Sequence, residues 1–492
     1  MEFVAEEIDI GTRTPTVLLH ADDVEELGAH PLDRVLIRHG EDVAVGIVEV
    51  TEELVEPGTL AVTRPLGHVD GRVDVSLAPR PDSAAYIRKK LQRVELDADE
   101  VDAIVSDINR DRLSDVELSS FVTGIYTNGL SRAEVGHLTR SMVAAGETLA
   151  WDRAVVADKH SIGGVAGNRV TPVVVAVVAA TGTTIPKTSS RAVTSAAGTA
   201  DTMEVFCDVA FDTDELQAIV RETNGCLAWG GSVNLSPVDD KIIRVETPLS
   251  LDPPGQLIAS VLSKKQSAGS SHVVIDIPYG EGAKVESLPA ARELAEDFGS
   301  VGAELGLTVE CAITRGNRPI GAGIGPVLEA RDVLAVLQGG GPAALRAKSL
   351  RLADILLECC GVDERATAVI DDGRALSKFR EIVDAQHGDP DVELDDLEPG
   401  RRTTTVRADR EGVVSHVDNR LVNGTARRAG SPKDIGAGLD LHVAGGERVE
   451  PDEALFTIHA ERAAKLEEAA AYAADRRPVR VSPPDESLVE HY

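Results

Sequence analysis

Cysteine is scarce in this chain of 492 residues. There are five, Cys207, Cys226, Cys311, Cys359 and Cys360, and no two form a Cys-x-x-Cys pair. That excludes the paired-thiolate zinc patterns, and no metal site is expected. An odd count in a large acidic chain reads as reduced, core-filling thiols. Long apolar runs are also missing. The longest, residues 173–180, sits between Pro172 and Thr181, far short of the roughly 18 residues of a membrane span. Basic charge is in short supply: 50 Lys and Arg stand against 82 Asp and Glu, a net charge of -32, and lysine is rarer than arginine. Such a surface repels the phosphates of DNA and RNA, so no nucleic-acid partner is expected. It suits a halophilic protein, because concentrated salt screens self-repulsion within about 3 Å. The start, Met1-Glu2-Phe3-Val4-Ala5-Glu6-Glu7, lacks the basic residues of a signal peptide, so a cytoplasmic location is expected.

The length suggests about three domains of roughly 150 residues. The pattern predicts a multidomain α/β plus α+β protein. Residues 1–82 read as a small β-rich domain: Thr16–Leu19, 33–37 and 43–48 are short β-rich runs between turn residues. Residues 83–152 read as a helical domain, with capping boxes at Ser114/Glu117 and Ser131/Glu134. Residues 153–390 alternate strand-like and helical runs, which predicts a large α/β domain with a mixed sheet. An acidic linker around 389–396 leads to a C-terminal β-rich domain, 403–492, with strands at 439–443 and 454–458 and a helix over 462–474.

Two stretches carry chemistry. The first is a strand at 154–158 followed by the loop Lys159-His160-Ser161-Ile162-Gly163-Gly164-Val165-Ala166-Gly167-Asn168 and a helix starting near Arg169. A glycine-rich turn before a helix presents backbone N–H groups to an anion. Lys159 adds charge, Ser161 a hydroxyl, and His160 a group able to exchange a proton. The loop matches neither the dinucleotide nor the Walker pattern, and a tight turn needing glycine for its backbone alone is the competing explanation. The second stretch runs from Lys187 to Asp201. Its hydroxyls, small residues and Arg191 suit phosphate or ribose oxygens, although hydroxyl-rich loops are commonly just solvated.

Together these stretches resemble a known family. Ser189-Ser190-Arg191-Ala192-Val193, Ala197-Gly198-Thr199, Asp201 and Glu204 are similar to the signature of the thymidine and pyrimidine nucleoside phosphorylases. The first loop resembles that family's Lys-His-Ser-x-Gly-Gly-Val. Further similarity lies in 121–125 with 146–149, in Ala259-Ser260-Val261-Leu262-Ser263-Lys264-Lys265, in 325–331 and in 445–460. There are departures too. Pro237-Val238-Asp239-Asp240 is followed by Lys241-Ile242-Ile243-Arg244, where the pyrimidine enzymes carry a base-gripping Tyr-Ala-Leu-Arg. Ile162 replaces the usual Thr, and Val193-Thr194-Ser195-Ala196-Ala197 replaces a run containing glycine and histidine. With the extra N-terminal region, these features resemble the archaeal AMP phosphorylase branch.

The resemblance implies reversible phosphorolysis of AMP, with CMP and UMP as further candidates, to free base and ribose 1,5-bisphosphate. It implies no cofactor, inorganic phosphate being a substrate, and a homodimer or larger homo-oligomer without membrane contact. Lys159, Ser161, Ser189 and Thr199 match phosphate-binding positions. Gly164, Ser190, Arg191, Ala192, Val193, Thr194, Ser195, Thr199, Ser260 and Lys284 match nucleotide-binding positions. Asp252 matches the proton donor, with His160 and Lys264 as further candidates. Lys265 is expected to face away from Lys264. An ordinary aspartate is ionised at neutral pH, so a donor role calls for burial, here beside Leu251 and Ile258. A pyrimidine nucleoside phosphorylase acting on thymidine or uridine stays open as an alternative. A phosphoribosyltransferase is disfavoured because Gly-Thr-Gly-Gly-Asp is absent. A lipoyl-like carrier is disfavoured because the 445–447 hairpin has no lysine.

Overall fold

The computed structural model describes residues 1–483 apart from Arg13, Glu41, Asp70, Val193, Thr194 and Ser250. Two of the expected nucleotide-binding positions, Val193 and Thr194, therefore lie outside the described residues. The chain divides into two compact units. One comprises Met1–Ala145 and Pro237–Ala259, the other Gly146–Ser236 and Ser260–Tyr492. No described helix is long and apolar enough to cross a membrane.

The first unit opens with six strands: β1 (Glu2–Ile8), β2 (Thr16–His20), β3 (Arg34–His39), β4 (Asp42–Thr51), β5 (Thr59–Thr63) and β6 (Gly71–Leu77). They close a barrel in the order β1-β5-β2-β4-β3-β6. Alternating residues such as Phe3 and Ala5, Val35 and Ile37, and Val73 and Val75 fill its interior. Closure leaves no free sheet edge. Four helices follow, Ser83–Leu91, Ala98–Asn109, Asp115–Asn128 and Arg132–Ala144. Both expected capping boxes form. Glu134 does more than cap: its buried carboxylate also accepts the Lys90 ammonium at 2.7 Å and the Leu96 N–H at 2.9 Å. The helix Pro237–Glu246 belongs to this unit, not to the α/β region in which sequence placed it. It buries Val238 and Ile242, and Lys241 Nζ reaches the carbonyls ending the Ala98–Asn109 helix at 3.1 and 2.8 Å.

The second unit is built on β7 (Ala157–Ser161), β8 (Ile185–Ser189), β9 (Gly225–Trp229), β10 (His272–Tyr279) and β11 (Thr308–Arg315). Strands pair in the orders β11-β10-β7 and β8-β9, and every one of these pairings is parallel. A single parallel bridge, Val156 to Thr184, lies just ahead of β7 and β8. The expected mixed sheet is thus parallel among the described residues. The helix Val170–Ala180, apolar on all sides, is buried along nearly its whole length, as parallel-sheet architecture requires. Antiparallel pairing appears where Gly323–Ile324 meets Gly438–Leu441, which joins Ala454–Ala460 and Arg402–Arg407 in one sheet. The helix Ala463–Arg476 closes that region near its expected place. A further helix, Asn419–Ala429, was not expected from sequence: its Asn and Gly are poor helix formers and its N-cap, Asp418, stands in a β-rich context.

Candidate active site

The strand expected at 154–158 runs instead over Ala157–Ser161, so Lys159, His160 and Ser161 are strand residues and not loop residues. This matters, because a strand alternates its faces. Lys159 and Ser161 point to one side, Asp158 and His160 to the other.

On the first side the organising group is Asp276 of β10, which sequence reading missed. It is fully buried and pairs with Ser161 in register. Its carboxylate accepts Ser161 Oγ at 2.7 Å and Thr314 Oγ1 at 2.7 Å, and lies 2.8 Å from Lys348 Nζ. Asn168 Nδ2 donates to Ser161 Oγ at 3.1 Å. Burial alone would raise the Asp276 carboxyl, but Lys348 and Lys159 hold it below the ordinary range. Lys159 is completely buried, with its Nζ 3.3 Å from Thr171 Oγ1. Burial pushes its ammonium down to about 7, with Asp276 opposing.

On the other side Asp158, also fully buried, collects two lysines. Lys265 Nζ lies 2.8 Å from Oδ2 and Lys187 Nζ 3.4 Å from Oδ1. Ser270 Oγ donates to the same carboxylate at 3.1 Å. Burial opposes its ionisation, yet Lys187 and Lys265 keep it below its ordinary value. Lys265 is thus buried, while its neighbour Lys264 is partly exposed. His160 is pushed well below its ordinary value by desolvation, with Lys265, Lys187, Lys159 and Lys264 adding to the effect. That shift favours the neutral imidazole.

The second stretch is tied to the same core by Arg169. Its Nη1 donates to Thr199 Oγ1 at 2.8 Å, its Nη2 to the Ala197 carbonyl at 2.9 Å, and its Nε to buried Glu329 at 2.5 Å. Asp201 accepts the N–H groups of Ala192 and Gly198, both at 2.7 Å. A Cβ on Gly198 would lie 2.5 Å from the Ser190 carbonyl, so only glycine fits. Arg191 is partly exposed and already engaged: it pairs with Glu204 at 2.7 Å and Asp201 at 3.3 Å and stacks on Trp229. Among the expected nucleotide ligands it is thus a loop anchor. Ser189 differs: its Oγ is buried at the end of β8 and has no hydrogen-bond partner among the described residues.

Gly164 (φ 88°) needs glycine both for its backbone and because a Cβ would lie 2.7 Å from the Lys284 nitrogen. Two expected ligands, Gly164 and Lys284, are thereby brought together; Lys284 itself is exposed. Ser260, partly exposed, offers its carbonyl to Ser263 Oγ at 3.1 Å. Asp252 belongs to the first unit, two residues ahead of the helix Pro254–Ser267. It is exposed although Ile258 is buried, so the apolar enclosure expected around it is not present in that unit.

The unexpected helix Asn419–Ala429 clamps both stretches. Asn419 Oδ1 accepts Ala166 N–H at 3.0 Å and its Nδ2 donates to the Gly316 carbonyl at 2.8 Å. Asn423 Oδ1 accepts Ala196 N–H at 3.0 Å, and Arg427 Nη1 donates to the Ser195 carbonyl at 3.0 Å.

Counted together, five basic side chains (Lys159, Lys187, Lys265, Lys348 and Arg169) and three carboxylates (Asp158, Asp276 and Glu329) lie in largely buried positions on and beside β7, and burial pushes Lys187 well below its ordinary value as it does Lys159. A buried excess of positive charge is costly unless an anion joins it. The basic cluster and glycine loop on a parallel sheet fit a transferase of the glycosyl transferase class. Family models agree: residues 84–146 match the glycosyl transferase family helical bundle domain, 153–329 its a/b domain, and 413–478 the pyrimidine nucleoside phosphorylase C-terminal domain. The chain is 59% identical to an AMP phosphorylase of Natronomonas pharaonis, with 100% of each chain covered. It is 47% identical to AMP phosphorylase 1 of Archaeoglobus fulgidus (95% and 94% covered) and 44% to the AMP phosphorylase of Thermococcus kodakarensis (96% of each). The chain belongs to the AMP phosphorylase family. The fold is also similar to anthranilate phosphoribosyltransferase from Thermus thermophilus, at a TM-score of 0.53 and 16% identity, over 62% of this chain and 99% of that one.

Proposed function

We infer that this chain catalyses the reversible phosphorolysis of AMP to adenine and ribose 1,5-bisphosphate. The buried cation excess around Lys159 carries this reading, because a dianionic phosphate is the partner that would balance it. Phosphate is taken by Lys159, Ser161, Ser189 and Thr199. Ser161 turns its hydroxyl from Asp276 to the incoming oxygen, and Ser189 has its hydroxyl unspent. Gly164, Ser190, Ser195, Ser260 and Lys284 take the nucleotide, with Arg191 holding the loop by its carboxylate pairs. The sugar passes through an oxocarbenium-like state. An anionic purine leaves poorly, so the base needs a proton, and the family resemblance assigns that role to Asp252.

The test compares phosphate-dependent base release from AMP, CMP, UMP, adenosine and thymidine under one set of conditions. AMP is expected to be cleaved faster than either nucleoside, and CMP and UMP to a lesser extent. Thymidine cleaved faster than AMP would defeat the assignment.

A further inference from the structure

A cavity of about 610 Å³ lies in the second unit between β11 and the helix Ala343–Cys359. Arg315, Arg318, Lys348 and Arg351 line it, and no carboxylate does. Lys348 is held by Asp276, which leaves three arginines without an acid, and that is notable where 82 acidic residues outnumber 50 basic ones. Among the described residues none of the three arginines pairs with a carboxylate, and Arg318 reaches only the Gly445 carbonyl at 3.4 Å. Ile320 and Ile355 give the cavity an apolar wall. None of the phosphate- or nucleotide-binding positions discussed above lines it.

We propose that this cavity is a second anion site, separate from the phosphorolysis site, that takes a nucleoside di- or triphosphate. The phosphates lie on Arg315, Arg318 and Arg351, whose planar forks suit phosphate oxygens. The base lies on the isoleucine wall. Lys348 links the cavity to the catalytic core, because its Nζ is 2.8 Å from Asp276, which in turn accepts Ser161. A polyphosphate that draws on Lys348 leaves Asp276 less neutralised beside Ser161 and Lys159. Phosphate then binds there more weakly, and by reciprocity phosphate weakens the effector.

The experiment is calorimetric titration of the full-length protein with ATP and with inorganic tripolyphosphate at one fixed salt concentration. The double variant Arg315→Ala/Arg351→Ala is titrated alongside. Both side chains are exposed and outside the catalytic machinery; if the melting temperature falls, Arg315→Gln/Arg351→Gln takes its place. ATP is expected to bind the wild type more tightly than tripolyphosphate does, and the double variant to lose roughly tenfold or more in ATP affinity. ATP should also raise the phosphate KM of the wild type but not of the variant, whose kinetics without ATP are unchanged. Equal ATP affinity in wild type and variant, or no ATP binding to the wild type, overturns the site. Tripolyphosphate binding as tightly as ATP overturns the nucleotide assignment. The titration needs no turnover, so its failure is distinct from failure of the phosphorolysis reading.

Discussion

Asn419 holds Ala166: its Oδ1 accepts the Ala166 N–H at 3.0 Å, across 253 residues of sequence. The same side chain donates to Gly316, so one buried amide fixes the glycine loop against the strand end that follows β11. Asn419→Ala leaves a buried N–H and a buried carbonyl unpaired, each costing about 1–3 kcal/mol. The protein is expected to fold, with kcat/KM for phosphate reduced by more than kcat for a saturated enzyme. Steady-state kinetics beside a melting curve check this. Unchanged phosphate kinetics would make Asn419 a purely structural contact.

Lys159 gives the pH dependence a direction. Burial lowers its folded value to about 7 from the ordinary 10.5. Between those limits the unfolded chain keeps a proton that the folded one has released. The destabilisation by this lysine is therefore complete below about pH 7 and is relieved as pH rises, by about 1.4 kcal/mol per unit. Denaturant unfolding of wild type and Lys159→Met without phosphate should show the wild type gaining on the variant between about pH 7 and pH 10. Phosphate prefers the charged lysine, so affinity of the free enzyme for phosphate should fall over the same range. A stability difference independent of pH would show that Lys159 stays protonated.

Asp252→Asn tests the proton. Asparagine keeps the shape and much of the hydrogen bonding but cannot deliver a proton. General acids contribute about 10²–10⁴ in rate, so kcat for AMP should fall by that order with KM little changed. A raised KM with kcat intact would make Asp252 a positioning residue.

Much of this site was legible in the sequence, and what was not has a physical reason. Local signals held: the capping boxes at Ser114 and Ser131 and the helix after Arg169 depend on neighbours within a few residues. Gly164 and Gly198 were visible because backbone constraint marks the residue itself. Asp276 was invisible because one acid within Val-Val-Ile-Asp-Ile-Pro reads as an ordinary strand. Its partners Ser161, Thr314 and Lys348 lie 115, 38 and 72 positions away. Arg191 looked like a ligand because nothing in sequence shows that Asp201 and Glu204 already hold it. Asn419 and Asn423 lie in a helix whose only local signal is the Asp418 cap, and their own contacts are tertiary.

Salt should stabilise the protein. A net charge of -32 repels itself in dilute buffer, and about 1 M salt shortens the screening length to about 3 Å. The melting temperature and activity are expected to rise with potassium chloride into the molar range. Full stability in dilute buffer, with no gain on adding salt, would contradict this.

The central claim is that inorganic phosphate, held by the buried cluster around Lys159, attacks the anomeric carbon and accepts the ribosyl group as the base leaves. The most direct measurement is product analysis of the AMP reaction with and without phosphate. Ribose 1,5-bisphosphate should form in equal amount to adenine, and neither should appear without phosphate. Adenine release without phosphate, accompanied by ribose 5-phosphate, would make the chain a hydrolase and contradict the account.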